Sequence, residues 1–283
     1  MIGPVRAPPI KLRQRMVEKV WGRRTLPAPF AVPGQEPIGE IWFEPLPQLS
    51  QLLVKYLFTS DKLSVQVHPS DADADVASGE AGKEECWLVL DAEPGAQLAI
   101  GFDTVHSTGE IAAAARDGSI EDLLTWHEVQ AGDIFYLPAG TVHAIGSGLS
   151  LVEVQQNSDT TFRLYDYGRP RDLHLDRALA VADFGPYDLA HHSTVETSTG
   201  ALIDGPYFRI DRVEGFPSEA LYTVYANEML ALPLSGVLAS SAGKPVTAEP
   251  GECLYAPSLD VLDFGAAEIT LLIRPASLPH SRG

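Results

Sequence analysis

The sequence predicts a mainly β protein of sandwich or barrel type, with a few short helices and two β-rich units in tandem. Three observations carry this. Apolar segments are short and rich in β-branched and aromatic residues. The 24 Gly and 22 Pro are spread along the whole chain, so turns recur throughout. The stretch PGECLYAPS (250–258) echoes AGDIFYLPAG (131–140), as a degenerate repeat of one barrel unit would.

In chain order, KLSVQVHP (62–69), ECWLVLDA (85–92), AQLAIGF (96–102), GDIFYLPAG (132–140), SLVEVQQNS (150–158) and TTFRLYDY (160–167) read as strands. Ser107 with Glu110 forms a capping box ahead of IAAAARDG, Ser119 caps the short turn IEDLLTW, and LDRALAVADF (175–184) has helical composition. From about Ala201 a second β-rich tract follows, comprising YFRIDRVEG, LYTVYANEML, LPLSGVLASS, ECLYAPS and AEITLLIR. The expected division is a catalytic unit over 1–190 and a degenerate unit over 191–283 that has lost its metal-binding residues.

Bulk properties narrow the function. The formal charge is 20 − 38 = −18, which argues against nucleic acid and anionic membranes as general partners. An anionic substrate would need a locally cationic pocket. No stretch reaches the roughly 18 apolar residues of a membrane span, and the N-terminus lacks the apolar core of a secretory signal. Cys86 and Cys253 are far apart and read as free thiols, so the cytoplasm is the expected compartment.

Gln66 and His68 stand two apart on one strand, so their side chains leave the same face, with Ser64 and Lys62 in the same row. A second strand offers Lys83, Glu85 and Trp87, and a third ends in a Pro-Gly turn that presents His143. Singly, each is more often a solvated or hydrogen-bonded residue. Two imidazoles, a carboxylate and an amide oxygen from three strands of one unit suit zinc or another first-row divalent ion. His191 and His192, adjacent in a loop, read as solvated.

LSVQVHP, GKEECW, LPAGTVHAIG and VEVQQNSDTTFR resemble, in the same order, the signature segments of type I phosphomannose isomerases. EKVWGRR and IGEIW extend the likeness, which covers roughly residues 10–175. That resemblance implies a jelly-roll fold of the cupin type and one Zn2+ per chain. It implies interconversion of mannose 6-phosphate and fructose 6-phosphate. Gln66, His68, Glu85 and His143 match the family's metal ligands, and Glu153 and Arg163 its active-site glutamate and arginine. Ser64 and Lys83 match positions lining the substrate pocket. Arg23 stands where the family pattern has a second glycine, and the helical insertion of the large members is missing.

Aldose–ketose isomerisation moves a proton between C1 and C2 through a cis-enediol, so it needs a base and a means of stabilising oxyanion charge. Glu153, tuned upward by burial, is the first candidate base and a water on the metal the second. Arg163 can pair with oxyanion or phosphate. Lys62, Lys83 and Arg163, with Arg169 and Arg171 nearby, supply the local cations that the acidic background requires. The rival readings are an Fe(II) oxygenase, in which a Gln ligand is unusual, a non-catalytic sugar-binding protein, and an isomerase of another sugar phosphate or of free mannose. A monomer or homodimer is expected.

Overall fold

The computed structural model describes residues 7–31, 34–75, 79–195, 200–241 and 245–276. Among these, three sheets are stacked, and every ladder between their strands is antiparallel. The five-stranded sheet runs in the order Phe162–Tyr165, Val65–Val67, His143–Ile145, Gln97–Phe102, Leu124–Glu128. A seven-stranded middle sheet runs His192–Thr194, Asp133–Leu137, Glu85–Ala92, Leu149–Gln156, Leu52–Phe58, Ile38–Phe43, Gln14–Arg23. The third sheet holds Ile10–Lys11, Leu254–Ala256, Met229–Ser240, Leu262–Pro275, Phe208–Glu214 and Gly200–Asp204, with Thr247–Ala248 beside Met229–Ser240.

The first two sheets face each other as the open halves of the expected jelly roll, and strand alternation decides what lies between them. Trp87, Leu57 and Leu151 point inward from the middle sheet to meet Leu63, Leu98 and Ile145. Their neighbours Cys86, Tyr56 and Val152 point the other way, into a core shared with Phe208, Leu232 and Ile273 of the third sheet. The inner strands of the middle sheet are therefore buried on both faces.

Helices α1 (Thr108–Asp117), α2 (Ile120–Leu123) and α3 (Leu175–Val181) cover the outer face of the five-stranded sheet through Ile111, Ile120 and Ala178. Both halves of the Ser107–Glu110 capping box form. In the C-terminal tract, LYTVY does not continue a strand. It belongs to helix α4 (Glu219–Val224), because Leu221 and Tyr225 fall four apart on the side facing the last core.

The two echoing turns share one hydrogen-bond pattern. Asp133 accepts from the Gln130 N–H at 2.8 Å and returns its own N–H to the Gln130 carbonyl at 3.1 Å. Glu252 and Glu249 repeat both bonds at 3.0 and 2.9 Å. Gly132 and Gly251 precede the acids at φ 96° and 93°, a left-handed backbone that glycine takes at little cost. Two segments cross the expected boundary near 190. Ile10–Lys11 joins the C-terminal sheet, and His192–Thr194 forms an edge of the middle one.

Candidate metal centre

His68 follows the strand Val65–Val67, Glu85 opens its own strand, and His143 lies opposite Gln66 across an antiparallel ladder. Ligand atoms of His68, Glu85 and His143 all lie within 4.8 Å of one another, and the three residues are buried. His68 donates from Nδ1 to the Thr160 carbonyl at 2.8 Å, and His143 from Nδ1 to the Thr141 carbonyl at 2.9 Å. A carbonyl can only accept, so each Nδ1 carries the proton and each Nε2 turns a lone pair to the centre. His143 Nε2 stands 3.3 Å from Glu85 Oε1, a buried oxygen without a hydrogen-bond partner. Two electron-rich atoms face each other there. That arrangement suits a cation, and the donor set fits a divalent ion.

Gln66 reaches the same centre with its amide reversed. Its Nε2 lies 3.2 Å from His143 Nε2, while its Oε1 accepts from Ser64 at 3.1 Å. A half-turn of the amide would present the oxygen. Lys83 supplies the positive charge at the centre: its ammonium bonds Glu85 Oε2 and lies 3.0 Å from His68 Nε2.

Electrostatics follow from burial and these neighbours. Burial pushes the His143 imidazole down to about 4 and lowers His68 as well, so both are neutral near pH 7. Burial opposes ionisation of Glu85, but the Lys83 ammonium outweighs it and holds the carboxyl well below the usual range.

Beside the centre is a cavity of ≈ 170 Å³, lined on one wall by Ser64, Gln66, Arg163 and Arg171 and on the other by Lys19, Glu40, Lys55 and Glu153. Glu153 accepts from Lys55 at 3.0 Å and from Trp87 Nε1 at 3.1 Å, with Lys83 at 3.9 Å. Burial alone would raise its pKa, as the sequence suggested. Lys55 and Lys83 reverse the sign and hold Glu153 below the ordinary carboxylate range. Glu153 does not pair with Arg163. Arg163 makes no ion pair among the described residues, and its buried Nε has no partner.

Lys62 is not brought to the cavity. It is paired with Glu121 at 2.5 Å over the ring of Trp126, because the strand begins only at Val65 and alternation does not extend back to it. Sequence reasoning missed Lys55, Lys19 and Glu40. The available signal was one lysine inside the apolar run LLVKYLF, all of it buried. Arg23 donates to the Thr59 carbonyl at 3.0 Å and takes no part in the cavity. Among the described residues no helix is long and apolar enough to cross a membrane.

No family model matches the chain. The mannose-6-phosphate isomerase of Streptococcus mutans is 35% identical over 248 residues, which is 72% of this chain and 78% of that protein. Mannose-6-phosphate isomerase ManA of Bacillus subtilis is 40% identical over 172 residues, 57% of this chain and 54% of that protein. Among solved structures, the mannose 6-phosphate isomerase from Bacillus subtilis superposes with a TM-score of 0.77 at 24% identity, covering 95% of this chain and 100% of that one. That likeness carries the cupin fold.

Proposed function

This chain belongs to the mannose-6-phosphate isomerase family, and from that premise we propose that it is a zinc enzyme interconverting mannose 6-phosphate and fructose 6-phosphate through a cis-enediol. The observation that carries the reading is a three-donor centre touched by Gln66 and Lys83, which line one cavity together with the buried Glu153 and with Arg163, a guanidinium without an ion pair among the described residues. His68, Glu85 and His143 would hold the ion, with Gln66 as fourth ligand once its amide turns. When bound, Zn2+ supplies Lewis acidity toward the substrate's carbonyl and hydroxyl oxygens.

The chain's own residues do the rest. Glu153 takes the proton from one carbon and returns it to the other. It is ionised throughout the neutral range, although the cations that keep it so also weaken it as a base. Arg163 faces the oxyanion or the phosphate with a charge that persists at any relevant pH. Ser64 and Lys83 steady Gln66 and Glu85 and stand ready to donate to substrate hydroxyls.

Residues 1–190 form the catalytic unit in this reading, and 191–283 a supporting one. The buried free thiols Cys86 and Cys253 suit a reducing cytoplasm. A coupled assay comparing mannose 6-phosphate with free mannose, before and after chelation and Zn2+ reconstitution, tests the proposal. Metal analysis should find about one ion per chain, and His143→Ala should lose most of it. Full turnover by metal-free protein would refute the assignment.

A further inference from the structure

The other cations lining the cavity are each matched to an acid. Lys19 stands 3.3 Å from Glu40 and Lys55 3.0 Å from Glu153, and Lys83 bonds Glu85. Arg163 is the exception among the described residues, and Arg171 shares its corner of the cavity. Burial and the Arg171 cation together hold the Arg163 guanidinium below its usual range, so the two charges feel each other.

What keeps Arg171 there is Asp166, a carboxylate only 2% exposed. It accepts from Arg171 Nε at 2.5 Å and Nη2 at 2.6 Å, and from Arg169 Nη1 at 3.2 Å. The grip takes one edge of the Arg171 fork and leaves Nη1 open. Arg169 donates onward to the Lys62 carbonyl at 2.8 Å, tying the loop to the rim. Between them Tyr167 and Gly168 take φ of 55° and 74°, so the chain doubles back and Arg169 N–H reaches the Asp166 carbonyl at 2.9 Å. A left-handed tyrosine is a strained choice, made here where the loop turns Arg171 toward the cavity.

We propose that Asp166 is a positioning residue that sets the preference for phosphorylated over free sugar, by fixing Arg171 beside Arg163 as a two-guanidinium seat for a phosphate monoester. The inference rests on the isomerase reading for its substrate. Its chemistry rests on paired forks, which match a phosphate better than a neutral hydroxyl and are worth most in a pocket shielded from water. In a chain of net charge −18, such a seat has to be built locally.

The test compares Arg171→Gln, Arg171→Lys and Asp166→Asn with the parent enzyme. Metal content and the urea midpoint serve as folding controls. In Arg171→Gln the ratio of kcat/KM for mannose 6-phosphate to that for mannose should fall about ten-fold or more, mainly through KM. The inhibition constant of inorganic phosphate should rise by a similar factor. Arg171→Lys should recover part of both, and Asp166→Asn should show the same split between KM and kcat. Should Asp166→Asn fail to fold, Arg171→Gln decides. Unchanged preference and unchanged phosphate inhibition in a folded, metal-loaded Arg171→Gln overturn the proposal. Calorimetric titration with inorganic phosphate needs no turnover, and it separates this inference from the isomerase reading. Weakened phosphate binding in Arg171→Gln supports the seat even if the parent turns over a different sugar phosphate, and unaltered binding overturns it.

Discussion

Lys55→Met removes one partner of an ion pair whose side chains are each only 5% exposed, with Nζ to Oε1 at 3.0 Å. Breaking a buried pair from one side strands a charge and typically costs about 3–5 kcal/mol. Two features place this case at the low end. Lys83 remains 3.9 Å from Glu153 Oε1, and Trp87 still donates to Oε2. A destabilisation of about 3 kcal/mol is therefore expected for Lys55→Met. Glu153→Gln should cost a similar amount: the stranded Lys55 keeps only the face of Trp42, at 4.5 Å from the ring centre.

The double variant replaces both charges with neutral groups of similar shape, and the amide oxygen that Glu153→Gln introduces can still accept from Trp87. It should lose no more than about 2 kcal/mol, some 4 kcal/mol better than the additive sum of about 6. Urea unfolding of the four proteins measures this cycle. Additive penalties would refute the claim that the two residues stabilise each other. The same proteins separate structure from chemistry. If Glu153 moves the proton, the double variant regains its stability yet stays about 10²–10⁴-fold slower than the parent.

Two further predictions follow from the same geometry. His143 has a folded pKa of about 4 against 6.5 when unfolded, so the unfolded chain binds the extra proton between those values. Stability of the metal-stripped protein should be full above pH 6.5 and fall as the pH drops toward 4, by about 3 kcal/mol, with His143→Gln flattening the slope of urea midpoint against pH. In the repeated turn, an added Cβ at Gly132 meets nothing closer than 3.9 Å, so Gly132→Ala should cost only the backbone penalty of about 1–2 kcal/mol. At Gly251 the same atom meets Phe30 and Pro29 at 3.0 Å, and Gly251→Ala should cost more. Equal urea midpoints for the two variants would show that the crowding carries no weight.

The sequence was most legible where one face of a strand differs from the other or where a turn carries its own chemistry. Glu85–Ala92 starts and stops where its composition indicated, and the Ser107 cap and α1 follow from local rules. Leu52–Phe58 was opaque for the opposite reason: with all seven residues buried between two sheets, no alternation reaches the sequence, and Lys55 disappears into an apolar run. Helix α4 misled because its Tyr, Thr and Val favour strands in isolation. Tertiary contact decided otherwise, with the Tyr225 hydroxyl donating to Asp211 at 2.8 Å. The metal donors were readable as a motif, but the acid–base setting of Glu153 was not, since Lys55 lies 98 residues away in sequence.

The two-faced middle sheet has a consequence for how this enzyme could be cut or recombined. A fragment ending near 190 would lose the edge strand His192–Thr194 and lay bare Tyr56, Leu88, Val152 and Val154, an oily surface that invites aggregation. Those residues alternate along their strands with Lys55, Trp87 and Glu153. Loosening the back of the sheet therefore disturbs the aim of the groups on its front. The N-terminal two sheets are not a portable cassette, and grafting them onto another scaffold would require the C-terminal sheet, or a surface of the same shape, to travel with them.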